Sequence, residues 1–255
     1  MPDLHTLANM LWTAQEQRTP CEQLTRLMPE LTVEDAYSIQ GMNLRRRPGH
    51  LIGHKIGLTS RAVQSWLGVE QPDFGGLLDD MLVLETDTID TSRLLQPRAE
   101  AEIAFVLEQD LDHAVITPAH VIQATAFILP ALEIIDSRIA NWTIKYEDTI
   151  ADNASSGLFV LGSNPVRLDE VDLTLAGMCM RKNGDVVSTG AGVACMGHPV
   201  NAVVWLANTM RKLGQPLRQG HIILSGALGP VCDITAGDHV EAHIAHVGHV
   251  SVDFS

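Results

Sequence analysis

At 255 residues and 27.7 kDa, with 45% hydrophobic and 19% charged residues, the chain has the balance of a folded globular protein, which excludes wholesale disorder; a chain of this size buries roughly 70–75% of its unfolded surface. Seventeen basic residues against 31 acidic ones give a net charge of −14, and so acidic a surface repels nucleic acid and anionic membranes, excluding both as expected partners. Four cysteines without a C-x-x-C pair, the lack of a basic-then-apolar leader in the first 18 residues, and a longest apolar run (around 126–135) of half the ~20 residues that span a bilayer lead to the expectation of a soluble, cytoplasmic protein with free thiols.

In chain order, Leu4, Leu7, Leu11 and Ala14, then Leu24 and Leu27 beyond Pro20, recur at helical spacing, so residues 3–28 read as a helix interrupted at Pro20. Thr32 is suited to cap a second helix over Val33–Leu44, with Glu34 and Asp35 in the first turn, where the helix dipole favours acids. Arg45-Arg46-Arg47 follows; it suits a helix C-terminus facing solvent better than a phosphate site. Leu51–Leu58 reads as a short buried strand, and Thr59 or Ser60 as the cap of a helix ending near Leu67-Gly68. Pro72–Gly76 reads as a turn.

From residue 96 strands dominate: Ala99–Leu107, Phe127–Ile135, Leu158–Leu161, Leu175–Arg181, His221–Ser225 and a closing set over His239–Phe254. Helices start at Thr117-Pro118 and at His198-Pro199, where His198 reads as a helix-start residue rather than a base. Asp148–Gly157 reads as a polar loop and Ala236-Gly237-Asp238 as a hairpin-type turn. The layout predicts an α+β protein: an N-terminal helical region over residues 1–50 and a strand-rich body over 51–255.

Glu100 and Glu102 are two apart on a predicted strand, so both point to one face. Beyond them the strand is apolar on both faces, which sets two carboxylates at the mouth of a buried strand. Glu133 lies in the apolar run Pro130–Ile135, where an ionised carboxylate is costly unless paired; Arg138 or Lys145 are the candidate partners, a metal the alternative. Three carboxylates without a His or Cys ligand set fit a hard cation, Mg²⁺ or Mn²⁺, with water in the remaining positions. Lys55, among apolar residues and before a helix start, reads either as a snorkelling surface lysine or as part of a site for an anionic substrate. The glycine-rich run Ser225–Pro230 allows close backbone approach to a ligand but matches no P-loop.

The segments Gly53-His54-Lys55-Ile56-Gly57-Leu58-Thr59-Ser60, Gln71-Pro72-Asp73-Phe74-Gly75, Pro97-Arg98-Ala99-Glu100-Ala101-Glu102, Pro130-Ala131-Leu132-Glu133, Ala151-Asp152-Asn153-Ala154-Ser155 and Gly226-Ala227-Leu228-Gly229-Pro230 together resemble the 2-keto-4-pentenoate hydratase family. With 4-oxalocrotonate decarboxylase, that family belongs to the fumarylacetoacetase-like superfamily. The resemblance runs over nearly the whole chain, with the motifs in the family's order. It implies a mixed β-roll or sandwich with an N-terminal helical region, and a divalent metal, Mg²⁺ or Mn²⁺, on Glu100, Glu102 and Glu133. It implies Lys55 and Asp73 as catalytic groups that transfer protons and orient water. Substrate contacts are expected at Ser155, Ser225, Gly226 and Leu228, the backbone amides of 225–228 holding a carboxylate.

The implied reaction is addition of water to 2-hydroxypenta-2,4-dienoate, giving 4-hydroxy-2-oxopentanoate, in the meta-cleavage breakdown of aromatic compounds. Leu77-Leu78-Asp79-Asp80-Met81 also resembles hydratases of longer 2-oxo-heptenedioates, whereas Trp142-Thr143-Ile144 resembles the pentadienoate branch. A 4-oxalocrotonate decarboxylase is the alternative enzyme, and a non-catalytic oxo-acid binding protein the alternative from another class. The resemblance further implies a homo-oligomer and leaves open a complex with a pathway neighbour.

Overall fold

In the computed structural model, which describes residues 2–255 and all their side chains except those of Trp66 and Leu67, the first fifty residues form three helices. Met1, at the head of the expected helical region, lies outside the described residues. The first helix, α1 (Leu4–Gln17), is capped by Asp3, whose carboxylate accepts from the Thr6 amide at 2.7 Å. It stops at Arg18, left-handed at φ +53°, before Pro20 can continue it, so the single helix expected over 3–28 is split. One turn, α2 (Leu24–Leu27), follows. Then α3 (Val33–Leu44) starts from a reciprocal cap in which Thr32 and Asp35 each accept the other's amide.

The body runs β1 (Leu51–Gly57), α4 (Arg61–Leu67), β2 (Asp73–Leu78), β3 (Leu82–Val83), β4 (Thr88–Ile89), β5 (Arg98–Leu107), α5 (Pro118–Ala124), β6 (Thr125–Ile135) and α6 (Tyr146–Ala151). It continues β7 (Ser156–Leu161), β8 (Gly177–Lys182), β9 (Asp185–Ala191), α7 (Pro199–Lys212), β10 (Ile222–Leu224), β11 (Cys232–Asp233), β12 (His239–Ile244) and β13 (Gly248–Phe254). His198 caps α7, its Nδ1 accepting from the Val200 amide at 3.1 Å.

Three expectations are corrected. Pro72–Gly76 is not a turn: from Asp73 onward it is the buried strand β2, and its glycines serve close approach, since a Cβ on Gly75 would lie 2.4 Å from the Asn153 carbonyl oxygen. The polar run 148–157 is not a loop; it holds the end of α6, a one-turn 3₁₀ segment over Asn153–Ser155 and the start of β7. The turn at 236–238 joins β11 to β12, which belong to different sheets, so it is no hairpin. The edge strand β9 was not anticipated, because solvent covers Val186 and Val187 and blurs the apolar alternation.

One sheet has the order β2-β1-β10-β5-β6-β7-β3, with β11 also pairing β5; the second has the order β4-β13-β12-β8-β9. The pairs β1–β10, β3–β7 and β4–β13 are parallel and the rest antiparallel. Alternation along the strands gives the first sheet two unlike faces. Ile56, Phe74, Ile103, Phe105, Leu132 and Ile134 enter the main core with Val203, Leu206 and Met210 of α7 and Met180, Val240 and Val252 of the second sheet. The opposite face carries a smaller apolar floor of Leu77, Ala104, Leu129, Ala131, Phe159 and Leu224. No helix among the described residues is long and apolar enough to cross a membrane.

The N-terminal helices do not stand apart from the body. Leu7, Leu11, Leu24, Ala36 and Ile39 share one apolar cluster with Ile139, Tyr146 and Ile150. Asp148 of α6, fully buried, accepts from the Thr25 amide at 2.9 Å, Thr25 Oγ1 at 2.8 Å, Gln23 Nε2 at 2.8 Å and the Lys145 amide at 2.8 Å. Replacing it with alanine strands buried donors, so Asp148→Ala is expected to lower stability by about 2–4 kcal/mol. Urea unfolding checks this: a lower midpoint in a single transition is expected, and an N-terminal segment melting separately in wild type would contradict the shared core.

Candidate active site

A β-strand turns residues two apart to one face, so Glu100 and Glu102 of β5 project together. The antiparallel register of β5 and β6 sets Glu133 directly opposite Glu100. One carboxylate oxygen from each of the three glutamates lies within 4.8 Å of the others. Glu102 and Glu133 are fully buried and Glu100 partly so. Glu102 Oε2 accepts from the Gly226 amide at 2.7 Å, while Glu102 Oε1 and both Glu133 oxygens accept no hydrogen bond.

Burial raises the pKa of all three carboxyls; Lys55 opposes the rise at each, and the neighbouring glutamates add to it at Glu100 and Glu102. Glu100 is pushed up to about 7. Converging acidic oxygens without donors, with no sulfur or imidazole among them, fit a hard divalent cation. Its two charges and that of Lys55 would match the three carboxylates.

Lys55 comes from β1, on the same sheet face as the glutamates. Its Nζ lies 3.1 Å from Glu133 Oε1 and donates to the Ala154 carbonyl at 2.9 Å. Burial disfavours this ammonium, but Glu133, Glu100 and Asp73 outweigh burial and the net shift is upward. The cation paired with Glu133 is therefore neither Arg138 nor Lys145, nor is Lys55 a snorkelling surface residue. Arg138 is engaged elsewhere: Nε pairs with Asp152 Oδ1 at 2.5 Å, and Nη1 donates to the carbonyls of Asp136 and Ser156 at 2.7 Å each.

That ion pair supports an unusual turn. Asn153, Ala154 and Ser155 all have positive φ (+57°, +50° and +52°), a conformation costly for residues with a Cβ. Asn153 is clasped to β2: its Oδ1 accepts from the Gly76 amide at 2.8 Å and its Nδ2 donates to the Gly76 carbonyl at 3.0 Å. Asp152 Oδ2 takes Ser137 Oγ at 3.0 Å and Ser155 Oγ at 3.2 Å. The outcome is the Ala154 carbonyl directed at Lys55. Ser155, expected to contact substrate, has its hydroxyl committed to Asp152.

Asp73 opens β2, paired in register with Gly57, and is buried rather than solvated in a turn. Its Oδ2 accepts from Thr149 Oγ1 at 3.1 Å, and its Oδ1 has no partner. A Cβ on Gly57 would lie 2.1 Å from that Oδ1, so glycine keeps the space there. Burial raises the Asp73 pKa, with Lys55 and Thr149 opposing.

The run after β10 behaves otherwise than expected. The amides of Ser225 and Leu228 donate to the Ile103 and Ala101 carbonyls at 3.1 and 3.0 Å, and that of Gly226 to Glu102. These amides fasten the segment onto β5 and orient Glu102, so they are not available to cradle a substrate carboxylate. The Ser225 hydroxyl is buried and has no hydrogen-bond partner. Thr149, Asp152 and Ala154 escaped sequence reasoning as functional positions. Asp152 and Ala154 lie in a segment that carries the family resemblance and Thr149 only in a polar run lacking alternation, while the left-handed geometry of 153–155 leaves no mark in residue type.

Residues 61–254 match the family model described as fumarylacetoacetate (FAA) hydrolase C-terminal. Over 250 residues the chain is 52% identical to a 2-keto-4-pentenoate hydratase of Paraburkholderia xenovorans (strain LB400), covering 97% of this chain and 93% of that protein. It is 48% identical over 251 residues to the TodF product hydratase of Pseudomonas putida F1, covering 97% and 94%. Among solved structures it is similar to 4-oxalocrotonate decarboxylase from Pseudomonas putida G7, complexed with magnesium and adipate, at TM-score 0.94 and 35% identity over 99% of this chain and 97% of that one.

Gly226 has φ +108°, and a Cβ there would lie 2.2 Å from Thr59 Oγ1. Gly226→Ala is therefore expected to cost about 1–3 kcal/mol of stability through strain and displacement of this segment. Chemical denaturation beside the neighbouring substitution Ala227→Gly checks it, since a Gly226→Ala protein as stable as wild type would contradict the close packing on Thr59.

Proposed function

This chain belongs to the fumarylacetoacetate hydrolase family, within its 2-keto-4-pentenoate hydratase group, and we propose that it is a divalent-metal-dependent hydro-lyase that adds water to 2-hydroxypenta-2,4-dienoate, giving 4-hydroxy-2-oxopentanoate in the breakdown of aromatic compounds. The observation that carries the reading is the convergence of Glu100, Glu102 and Glu133 beside Lys55 in one buried pocket, in a chain whose close relatives are named hydratases.

Glu100, Glu102 and Glu133 would hold Mg²⁺ or Mn²⁺, and the bound cation would supply Lewis-acid chemistry to the substrate. Hydration requires a proton at the terminal carbon and water at C4. Asp73, whose pKa burial raises, holds and passes protons at its carboxyl. Lys55, held between Glu133 and the Ala154 carbonyl, keeps positive charge at Nζ toward the substrate's anionic end. The buried Ser225 hydroxyl is a candidate donor to substrate.

The similarity in fold to the decarboxylase keeps loss of carbon dioxide as the second reading, but identity favours the hydratases, 52% against 35%. The longer dioate substrates lose support. In Leu77–Met81 the apolar side chains are core, Asp79 accepts from the His50 amide and Asp80 pairs with Arg47, so this acidic segment offers no free donor to a second carboxylate. Free thiols at Cys21, Cys179, Cys195 and Cys232 suit a reducing cytoplasm. Leu175 and Val193, exposed where β8 and β9 meet, suit a homo-oligomer.

Two expectations follow. The glutamate cluster binds protons more tightly in the metal-free fold than in the unfolded chain, Glu100 moving from 4.5 to about 7. Through that window the unfolded chain has released protons the fold retains, so metal-free stability falls as pH rises. A bound divalent cation takes the protons' place. The stability gained on adding Mg²⁺ or Mn²⁺ to chelator-treated protein should therefore grow from pH 5 to 7.5, and Glu102→Gln should reduce both this gain and turnover. A gain that is absent, or flat across that range, speaks against a metal on these residues.

The second concerns the reaction. Ultraviolet-monitored turnover of the five-carbon dienol should yield the 4-hydroxy-2-oxo acid without carbon dioxide, and only with metal. Asp73→Asn should lower it roughly 10²–10⁴-fold at near-normal metal affinity. Carbon dioxide released from 4-oxalocrotonate faster than the dienol is hydrated would make the decarboxylase the better reading.

A further inference from the structure

We infer that Thr149 is a positioning residue that decides which oxygen of Asp73 exchanges protons with the substrate: its hydroxyl holds Oδ2, leaving Oδ1 as the reacting atom. The inference rests on the role proposed for Asp73 above.

A carboxyl offers two equivalent oxygens, and a half-turn of the group exchanges them. In water the choice is immaterial, but here it is constrained. Thr149 is buried on α6 and donates Oγ1 to Asp73 Oδ2 at 3.1 Å, rather than back to a carbonyl of its own helix as threonines often do. Asp73 is itself buried, so water does not compete for that oxygen. Oδ1 has no hydrogen-bond partner, and it lies where a side chain on Gly57 would collide with it. One oxygen is tied by a hydrogen bond and the other, packed against Gly57, accepts none, on the sheet face that also carries Lys55 and the glutamates.

The donor is itself held still. A β-branched residue has few χ1 choices on a helix. The helix is fixed to the strand carrying Asp73 on both sides of Thr149: Tyr146 Oη donates to the Pro72 carbonyl at 2.8 Å, and Gln40 Nε2 bridges the carbonyls of Phe74 and Ile150 at 2.9 and 3.0 Å. Asp148 anchors the same helix to residues 23–25. The N-terminal region thus acts on Asp73 through α6 without touching substrate.

The test measures steady-state dienol turnover and Mg²⁺ titration for wild type, Thr149→Val, Thr149→Ser, Asp73→Asn and the double variant Asp73→Asn/Thr149→Val. Thr149→Val, nearly isosteric, should lower kcat roughly tenfold, as loss of one hydrogen bond to a charged group does, with KM and metal affinity unchanged. Thr149→Ser, which restores the hydroxyl, should recover most of kcat. In the Asp73→Asn background Thr149→Val should cost nothing further. Wild-type kcat in Thr149→Val, a serine variant no better than valine, or full additivity in the double variant would each overturn the assignment. Normal turnover in Asp73→Asn would overturn the role of Asp73 itself, whereas impaired Asp73→Asn beside normal Thr149→Val would remove only the inference about Thr149.

Discussion

Three glutamates forced together in an apolar pocket, beside one lysine, are the constraint around which the rest of this molecule is arranged. Like charges at this spacing, out of water, hold their protons or demand a cation. Lys55 supplies one positive charge, and the remaining oxygens of Glu102 and Glu133 find no donor in the protein. A pocket left with orphan acceptors destabilises the fold in its free form. The atoms that weaken the free fold in this way are the ones a divalent cation would satisfy.

Such a cluster must be held by surroundings that cannot relax. Strand β5 is central in its sheet, pairing with β6, β10 and β11, so Glu100 and Glu102 ride on a backbone fixed from several directions. Lys55 is held by a different device. The left-handed turn at 153–155 stores strain, and the Arg138–Asp152 pair and the Asn153 clasp on Gly76 over-determine it. The Ala154 carbonyl keeps its direction despite the strain, because any other conformation forfeits several hydrogen bonds at once. Glycines serve the same end at Gly57, Gly75 and Gly226, where a Cβ would strike Asp73, the Asn153 carbonyl or Thr59.

How much of this the sequence reveals depends on how local each signal is. The glutamate cluster was legible because period-two spacing places Glu100 and Glu102 on one face, and a carboxylate in an apolar run marks Glu133. Helix starts at Thr32, Thr117 and His198 were legible because caps act over three residues. The partner of Glu133 was not: nearby Arg138 and Lys145 were the natural candidates, and the true neighbour comes from a strand far away in the chain. The segment around Asp73 was misread as a turn for a related reason. Pro72, Gly75 and Gly76 are turn residues by type, but here the glycines let the backbone approach Asn153, a requirement set by a segment remote in sequence. The Ser225, Gly226 and Leu228 amides were misassigned because residue type does not tell whether an N–H faces a neighbouring strand or a ligand.

The alternation in β5 and β6 couples folding to chemistry more tightly than a site built on loops would. Ala101, Ile103 and Phe105 point into the main core, and Glu100, Glu102 and Ala104 point to the site. A slip of one residue in either strand would exchange the two sets, sending phenylalanine toward the face that carries Lys55 and glutamate into the core. The penalty for burying unpaired glutamates among Val240, Val252 and Leu206 far exceeds anything a shifted ladder could gain. The hydrophobic face therefore enforces the register that brings Glu133 opposite Glu100, and the geometry of the site is inherited from the packing of the core behind it.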